Sequence, residues 1–378
     1  SSVAIPDVID GRDRGRDISE YRAYATALGY QLDPADLENL TFTEQQMTLP
    51  NSDVLCGTSE IPLEHHLETW QTTQFLRQLK ERPQDKPFFA VCSHNAPHFP
   101  MIVPEPYASL IHPDEVVLPP NFNAGLEGKP AEVRSSKHYQ KTKGLDERAW
   151  RSLIAHYWGF CSLIDAQVGR VVDWLRENGL YQDTIIVYLS DHGDMIGSHG
   201  LNLKGFEVQY EEANRVPLLI SHPNFRQASQ RNMFVSLVDL IPTLAEFCGV
   251  DIGMATDGSS FASAMTEAET DHHRDYVITE AFHAAAKARG EYEDPEEYTA
   301  DTWRPMNICV RTPRDKYVFH GKDTDEYYDL TADPHETTNQ YPWGAPAERV
   351  GELRRLILRE LSGSAPNLAG IVARKMAQ

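Results

Sequence analysis

The stretch Thr184-Ile185-Ile186-Val187-Tyr188-Leu189-Ser190-Asp191-His192-Gly193-Asp194 carries the strongest indication of the fold of this chain. Its first half is an apolar run typical of a buried strand, and a glycine-rich loop follows. Open α/β proteins build their sites at such strand ends, because the loops there converge on one crevice. Asp191, His192 and Lys204 in one loop predict a metal site beside an anion site. Two protein ligands are too few for a hard divalent cation, which needs about six donors, so further ligands must come from elsewhere.

Strands alternate with helices on both sides of this loop. Hydrophobic periodicity predicts helices at 64–82, 145–178 and 239–247, and strands at 87–92, 185–189, 216–220 and 234–238. This alternation is typical of an α/β domain with a mostly parallel sheet between layers of helices. After residue 258, short β-like runs at 276–279, 306–311 and 316–319 precede a helix at 346–361. We therefore predict an α/β domain over residues 1–258 and a smaller α+β subdomain with an antiparallel sheet over residues 259–378.

Composition excludes several classes of protein. The 378 residues are 41% hydrophobic and carry a formal net charge of −21, which argues against nonspecific binding to nucleic acid or to an anionic membrane. No apolar run approaches the length of a membrane span. The five cysteines are scattered without a CxxC pair, so neither a disulfide framework nor a zinc knuckle is indicated. Cys92, Cys161 and Cys248 lie in apolar runs and are expected to be buried.

A second candidate segment, His94-Asn95-Ala96-Pro97-His98-Phe99-Pro100, follows the predicted strand at 87–92. Its prolines stiffen the loop around His98, as a positioned acid or hydrogen-bond donor requires. Taken singly, such a histidine is more often an ordinary surface residue, and an Asp-His pair more often caps a turn. Two strand ends that each carry histidine with other polar groups favour a shared crevice. No P-loop, HExxH, GxSxG or EF-hand pattern occurs, so those classes have no support.

In order along the chain, these segments resemble the sulfatase family of the alkaline phosphatase superfamily. The matching segments are Pro87–Pro100 (a strand followed by P-H-x-P), Ser190–Lys204 (S-D-[HN]-G…G-x-H-G…K), Tyr210–Leu218, Ser236–Leu244 (V-D-L-x-P-T-L) and Glu326–Asn339 (E-x-Y-D-L-x-x-D-P-x-E-x-x-N). Each segment alone is weak evidence for the family, but five such segments in the correct order are highly specific for it.

The resemblance implies a role for each matching site residue. Asp191 and His192 would be metal ligands, with Ca²⁺ the expected ion and Mn²⁺ or Mg²⁺ as alternatives. His98 and Lys204 would be catalytic and would bind the sulfate group, one of them assisting the leaving oxygen, and His94 would join them in substrate binding. The family's nucleophile is a formylglycine made from the Cys or Ser of C/S-x-P-S/A-R. The implied reaction is hydrolysis of a small-molecule or saccharide sulfate ester.

The chain departs from the family pattern in one respect. It contains no C/S-x-P-S/A-R, since Cys56 is followed by Gly-Thr-Ser, and it lacks the family's Asp-Asp metal pair and its G-K-W-H segment. In the family these elements lie upstream of the segments matched here. We therefore expect the C-terminal part of a sulfatase, inactive without an N-terminal segment that carries the formylglycine. Apolar neighbours of the missing strands should then be exposed.

Other interpretations remain open. One is a phosphonate monoester or phosphodiester hydrolase of the same superfamily, and another is a non-catalytic sulfatase-like subunit. The loops at 94–120 and 280–305 are expected to shape the substrate pocket. Cellular location is left open, although few cysteines fit a bacterial cytoplasmic or periplasmic enzyme, and a homo-oligomer is compatible with the sequence.

Overall fold

The protein is described from a computed structural model, which covers residues 19–30, 47–48, 54–205, 207–225, 228–266, 271–282, 306–321, 323–364 and 366–377. The chain divides into two compact units. The first comprises Ser1–Leu118 and Gly144–Thr184, and the second comprises Pro119–Lys143 and Ile185–Gln378. None of the described helices is both long enough and apolar enough to cross a membrane.

The helices and strands are numbered here in chain order. The helices are α1 (Ser19–Ala27), α2 (Leu67–Glu81), α3 (Ala131–Ser135), α4 (Lys137–Thr142), α5 (Glu147–Glu177), α6 (Glu211–Asn214), α7 (Leu240–Cys248), α8 (Ala262–Thr266), α9 (Ala347–Ser364) and α10 (Pro366–Met376). The strands are β1 (Met47–Thr48), β2 (Val54–Thr58), β3 (Met101–Val103), β4 (Ile186–Leu189), β5 (Leu218–Ser221), β6 (Val277–Phe282), β7 (Met306–Arg311), β8 (Asp315–His320) and β9 (Glu326–Asp329).

The first unit packs helices against a short mixed sheet. Strand β2 pairs antiparallel with β1 and parallel with β3. The predicted helix at 145–178 is confirmed as α5, which begins where the Asp146 side chain accepts a hydrogen bond from the amide of Ala149 at 2.8 Å. Its apolar side chains recur at helical spacing and are buried, among them Trp150, Leu153 and Phe160. The predicted helix at 64–82 is confirmed as α2.

The second unit contains two antiparallel sheets. Strands β4 and β5 form one pair, and β6-β7-β8-β9 form a four-stranded sheet in sequential order. Helices α9 and α10 cover the larger sheet, with Leu353 and Ile357 packed against Ile308 and Tyr317 in one buried cluster. The antiparallel sheet and the helix predicted for the C-terminal region are thus confirmed. Helices with both parallel and antiparallel sheets make up the predicted α/β class with an added α+β part.

Two predicted strands are wrong in the described structure. Residues 87–92 and 234–238 have no strand pairing, and Phe89 and Val91 are 58% and 54% exposed. An apolar run becomes a strand only where a neighbouring strand binds its amides and carbonyls, and none of the described strands does so here. Burial was also predicted wrongly for two cysteines, because Cys161 and Cys248 are exposed while Cys92 is partly buried. The division at residue 258 stays a prediction.

Large apolar side chains are exposed on β4 and β5, and also on the segment 237–241, where α7 begins. Their exposed fractions lie between 37% and 60%, and they are Tyr188, Leu189, Leu219, Leu237, Val238 and Ile241. Isolated exposed apolar residues are ordinary, but a group that includes both strands of one sheet is typical of a surface that another segment covers.

Candidate metal and anion site

Strand β4 ends directly at the two predicted metal ligands. The side chain of Asp191 is 84% exposed and that of His192 is 39% exposed. The hydroxyl of Ser190 donates to the carbonyl of His192 at 2.7 Å, and the amide of His192 donates to Oδ1 of Asp191 at 3.0 Å. These short-range bonds fix the turn, so both side chains project from the end of one strand.

The imidazole of His192 is oriented as a metal ligand requires. Its Nδ1 lies 2.8 Å from the carbonyl oxygen of Gly193, which only accepts hydrogen bonds, so Nδ1 carries the proton. The lone pair is therefore on Nε2, which lies 3.6 Å from Oδ2 of Asp191. One cation can contact both atoms at that spacing, since ligand distances run from about 2.0 to 2.6 Å.

The two residues fit a divalent cation as part of a ligand set. Among the residues the structure describes, no group of three or more His, Cys, Asp or Glu side chains could hold a metal ion. An imidazole suits the hard ions Ca²⁺ and Mg²⁺ less well than another oxygen would, and it suits a transition-metal ion such as Mn²⁺ better. The remaining donors would come from outside the described residues or from water.

The loop after these ligands closes on itself. The amide of Met195 donates to the carbonyl of Leu203 at 3.1 Å, and the amide of Gly197 donates to that of Leu201 at 2.8 Å. Burial raises the pKa of Asp194, although backbone hydrogen bonds and the charge of Lys204 act in the opposite direction. Lys204 therefore lies within electrostatic reach of Asp194, at the far end of the loop from His192.

Two histidines of the first unit occupy the other predicted segment. Nδ1 of His98 lies 2.7 Å from the carbonyl oxygen of Phe99, which only accepts hydrogen bonds, so Nδ1 carries a proton. Nε2 of His94 lies 3.4 Å from Oγ1 of Thr72, and burial lowers the pKa of His94, which keeps the ring neutral near pH 7. The structure places Asp191, His192 and Lys204 in one loop of the second unit. It places His94 and His98 in the first, and the catalytic and binding roles of all five stay predictions.

A buried carboxylate that sequence reasoning missed holds the His98 loop. Oε1 of Glu68, on α2, accepts a hydrogen bond from the amide of Ala96 at 3.1 Å. Burial would raise the pKa of Glu68, but the hydrogen bond and charge of His66, at 2.9 Å, lower it overall. In the sequence Glu68 looks like an ordinary solvated helix residue, and no local signal marks it.

The C-terminal motif builds a buried polar network in the second unit. Nζ of Lys129 donates to the hydroxyl of Tyr328 at 2.9 Å and to the carbonyl of Glu336 at 2.7 Å. Glu326 accepts from the hydroxyls of Tyr210 and Tyr328, and Tyr210 stacks on His199 with ring centroids 4.5 Å apart. Burial lowers the pKa of His199 to about 3, so this ring is neutral. The network anchors the loop that carries Lys204, which the sequence motif did not reveal.

Part of the predicted pocket lies outside the described residues, namely residues 283–305 of the loop at 280–305.

Two family models and a known arylsulfatase match this chain. The family model described as Sulfatase matches residues 24–250, and the model described as N-sulphoglucosamine sulphohydrolase, C-terminal, matches residues 197–361. An arylsulfatase of Clostridium perfringens is 30% identical over 304 residues, which cover 79% of this chain and 58% of that protein. The chain thus spans little more than half the length of this relative.

Solved structures show the same fold. A phosphonate monoester hydrolase from Silicibacter pomeroyi has a TM-score of 0.72 at 23% identity, over 92% of this chain and 69% of that one. A structure in complex with its substrate D-glucosamine-2-N,6-O-disulfate has a TM-score of 0.63 at 21% identity, over 80% of this chain and 71% of that one. These are sulfatases and phosphonate hydrolases of the alkaline phosphatase fold, which confirms the predicted fold class. Because the sulfatase model matches more than half of the chain, this protein belongs to the sulfatase family.

Proposed function

We propose that the protein hydrolyses sulfate esters, and that this chain supplies part of the metal site and part of the sulfate site. The observation that carries the proposal is the loop at 190–205, which presents Asp191 and the Nε2 lone pair of His192 beside each other at a strand end. Lys204, at the other end of this closed loop, adds a positive charge in a chain whose net charge is −21. The sulfate group of a sulfate ester carries a negative charge, so its binding to this acidic chain requires such local positive charge.

Residues of this chain would bind the sulfate group and stabilise part of the negative charge that develops in the transition state. Lys204 would hold a sulfate oxygen as a point charge, and His98 would donate a proton or hydrogen bond to the leaving oxygen. Asp191 and His192 would hold a divalent cation, Ca²⁺ first and Mn²⁺ or Mg²⁺ as alternatives. That cation would supply Lewis-acid stabilisation of oxyanion charge. His94, neutral and partly buried, would join His98 and Lys204 in substrate binding.

The nucleophile would lie outside these 378 residues. Cys56 has the wrong sequence context, and burial raises the pKa of its thiol to about 12, so it is protonated and inert near pH 7. We infer that a preceding segment of the same protein supplies a formylglycine and the remaining metal ligands, and that the chain alone is inactive. The short coverage of the arylsulfatase and the uncovered apolar side chains of β4 and β5 support this inference.

The proposed substrate class is a sulfated saccharide or another small sulfate ester. A structural neighbour binds D-glucosamine-2-N,6-O-disulfate, and the C-terminal family model is that of N-sulphoglucosamine sulphohydrolase. The TM-score of 0.72 to a phosphonate monoester hydrolase keeps that activity as the second candidate.

The decisive experiment compares substrates on the complete protein, meaning the product of the whole reading frame. We expect kcat/KM for 4-nitrophenyl sulfate to exceed that for a phenylphosphonate monoester, and EDTA to abolish turnover until Ca²⁺ or Mn²⁺ is restored. Lys204→Ala should lower kcat by about 100-fold, the usual loss on removing one oxyanion donor. Lys143→Ala, at an exposed lysine, should leave kcat unchanged.

Three results would contradict the proposal. A preference for the phosphonate by more than about tenfold would establish the second candidate. No turnover of either ester by the complete protein would indicate a non-catalytic subunit. An active chain of only these 378 residues would refute the missing nucleophile segment.

A further inference from the structure

Asp194 belongs to the metal and anion loop but has none of the roles proposed above. Its Oδ1 accepts two hydrogen bonds, one from the amide of Ile196 at 2.9 Å and one from the amide of Leu203 at 3.0 Å. The first bond is local, within an Asx turn. The second reaches nine residues along the chain, so one carboxylate oxygen joins the two ends of the loop.

The two amides that Asp194 binds belong to residues in an unfavourable backbone conformation. Ile196 has a φ of 26° and Leu203 a φ of 64°, in the left-handed region that side chains with a Cβ rarely adopt. A branched residue such as Ile196 stays there only where its surroundings fix it. The hydrogen bonds to Asp194 act at the two strained positions themselves, in addition to the one backbone hydrogen bond from Met195 to Leu203.

The position of Asp194 connects the two halves of the candidate site. His192 lies two residues before it, and Lys204 directly follows Leu203. The φ of Leu203 determines the direction in which the chain continues into Lys204. We propose that Asp194 is a positioning residue, whose bridging oxygen fixes Lys204 relative to Asp191 and His192. The role of Lys204 in binding sulfate rests on the proposed function. The two hydrogen bonds that Asp194 accepts can be measured without any turnover.

A matched comparison is available elsewhere in the second unit. Oδ1 of Asp251 also accepts a hydrogen bond from the amide two residues on, Gly253, at 2.9 Å. Asp251 is exposed and follows α7, and no bond is seen from it to a distant part of the described chain. It therefore reproduces the local turn of Asp194 without the bridge.

The test uses Asp194→Ala, Asp194→Asn and Asp251→Ala in the complete protein. Hydrogen exchange of the Ile196 and Leu203 amides is measured, together with kcat and KM for 4-nitrophenyl sulfate. We expect Asp194→Ala to speed exchange of both amides by about tenfold or more. The same variant should lower kcat by about ten- to 100-fold with a smaller change in KM. A misplaced Lys204 can still bind substrate but stabilises the transition state less well.

The asparagine variant separates geometry from charge. Asn keeps an oxygen acceptor at the same position, so Asp194→Asn should restore slow exchange of both amides and most of kcat, and Asp251→Ala should match the unaltered protein. Unchanged exchange of the Leu203 amide in Asp194→Ala would overturn the proposal, even if that variant loses stability. An Asp194→Asn variant as impaired as Asp194→Ala would also overturn it. If the unaltered protein fails to turn over sulfate esters, the proposed function fails, and the exchange rates still decide whether Asp194 bridges the loop.

Discussion

Gly193 lies where the backbone of the loop at 190–205 passes against α6. Its amide donates to the carbonyl of Ala213 at 2.8 Å, and a Cβ at this position would overlap the carbonyl oxygen of Glu212. Only glycine permits this approach, because the obstacle is backbone and cannot rotate away. The glycine of the S-D-H-G pattern therefore has a steric role in seating the proposed metal ligands Asp191 and His192.

Gly193→Ala should destabilise the protein for this reason. We predict a fall in the free energy of unfolding of roughly 1–3 kcal/mol, typical of overpacking that forces a backbone shift. Chemical denaturation measures it. Gly169→Ala is the matched control, since a Cβ at that site in α5 meets nothing within 4 Å, and there we expect a gain of up to about 1 kcal/mol. Equal effects of the two changes would contradict the steric role of Gly193.

His320 connects three elements of the second unit. Its Nδ1 lies 2.7 Å from Glu132 in α3, and its Nε2 lies 2.8 Å from Glu326 in β9. Burial alone would lower the pKa of His320, but the hydrogen bonds and charges of the two glutamates raise it to about 9. The imidazolium is thus the stable form between the two carboxylates, and β8 is tied at its end to α3 and β9.

The stability of the protein should therefore depend on pH in a defined window. Because the pKa of His320 rises from about 6.5 to about 9 on folding, its contribution is complete below pH 6.5 and is lost as the pH rises through 9. We predict that the free energy of unfolding falls by more than about 1 kcal/mol across this window. His320→Gln should flatten the profile. His272→Gln, at an exposed histidine paired with Asp275, should not, and a profile unaltered by His320→Gln would refute the assignment.

At the scale of the whole molecule, the exposed apolar side chains of β4 and β5 raise the question of whether another segment covers them. Leu219 of β5 is 60% exposed, and Val238 and Ile241, at the start of α7, are 51% and 53% exposed. If the proposed N-terminal segment exists, it would cover this surface.

The substitution Leu219→Ser tests whether another segment covers the exposed surface of β4 and β5 in the complete protein. In the complete protein we predict a loss of about 1–3 kcal/mol in the free energy of unfolding, as for a buried leucine. In the 378-residue chain the same change should have little effect. Val117→Ser, at a residue 79% exposed in the first unit, should be neutral in both proteins. A neutral Leu219→Ser in the complete protein would show that the surface is free.

The sequence by itself determined the elements whose stability is mostly local, and the family. Helices α2, α5 and α7 follow from apolar spacing, and the ordered motifs from Pro87 to Asn339 predicted the family that the comparisons confirmed. Asp191, His192 and Lys204 were predicted as neighbours because they share one short loop. Helical periodicity and closeness within a short loop involve residues that are near each other in the sequence, so both can be read from the sequence alone.

Only the tertiary structure decided which polar residues hold the loop and which apolar runs pair. Glu68, Lys129 and His320 are buried through contacts made across long sequence separations, and nothing in their neighbourhoods along the chain marks them. Residues 87–92 and 234–238 have strand-like composition but no strand pairing, because β structure depends on a partner strand. A strand forms only when two segments pair, and a charged residue is buried only when several distant segments surround it. Both therefore depend on contacts that exist only in the folded chain.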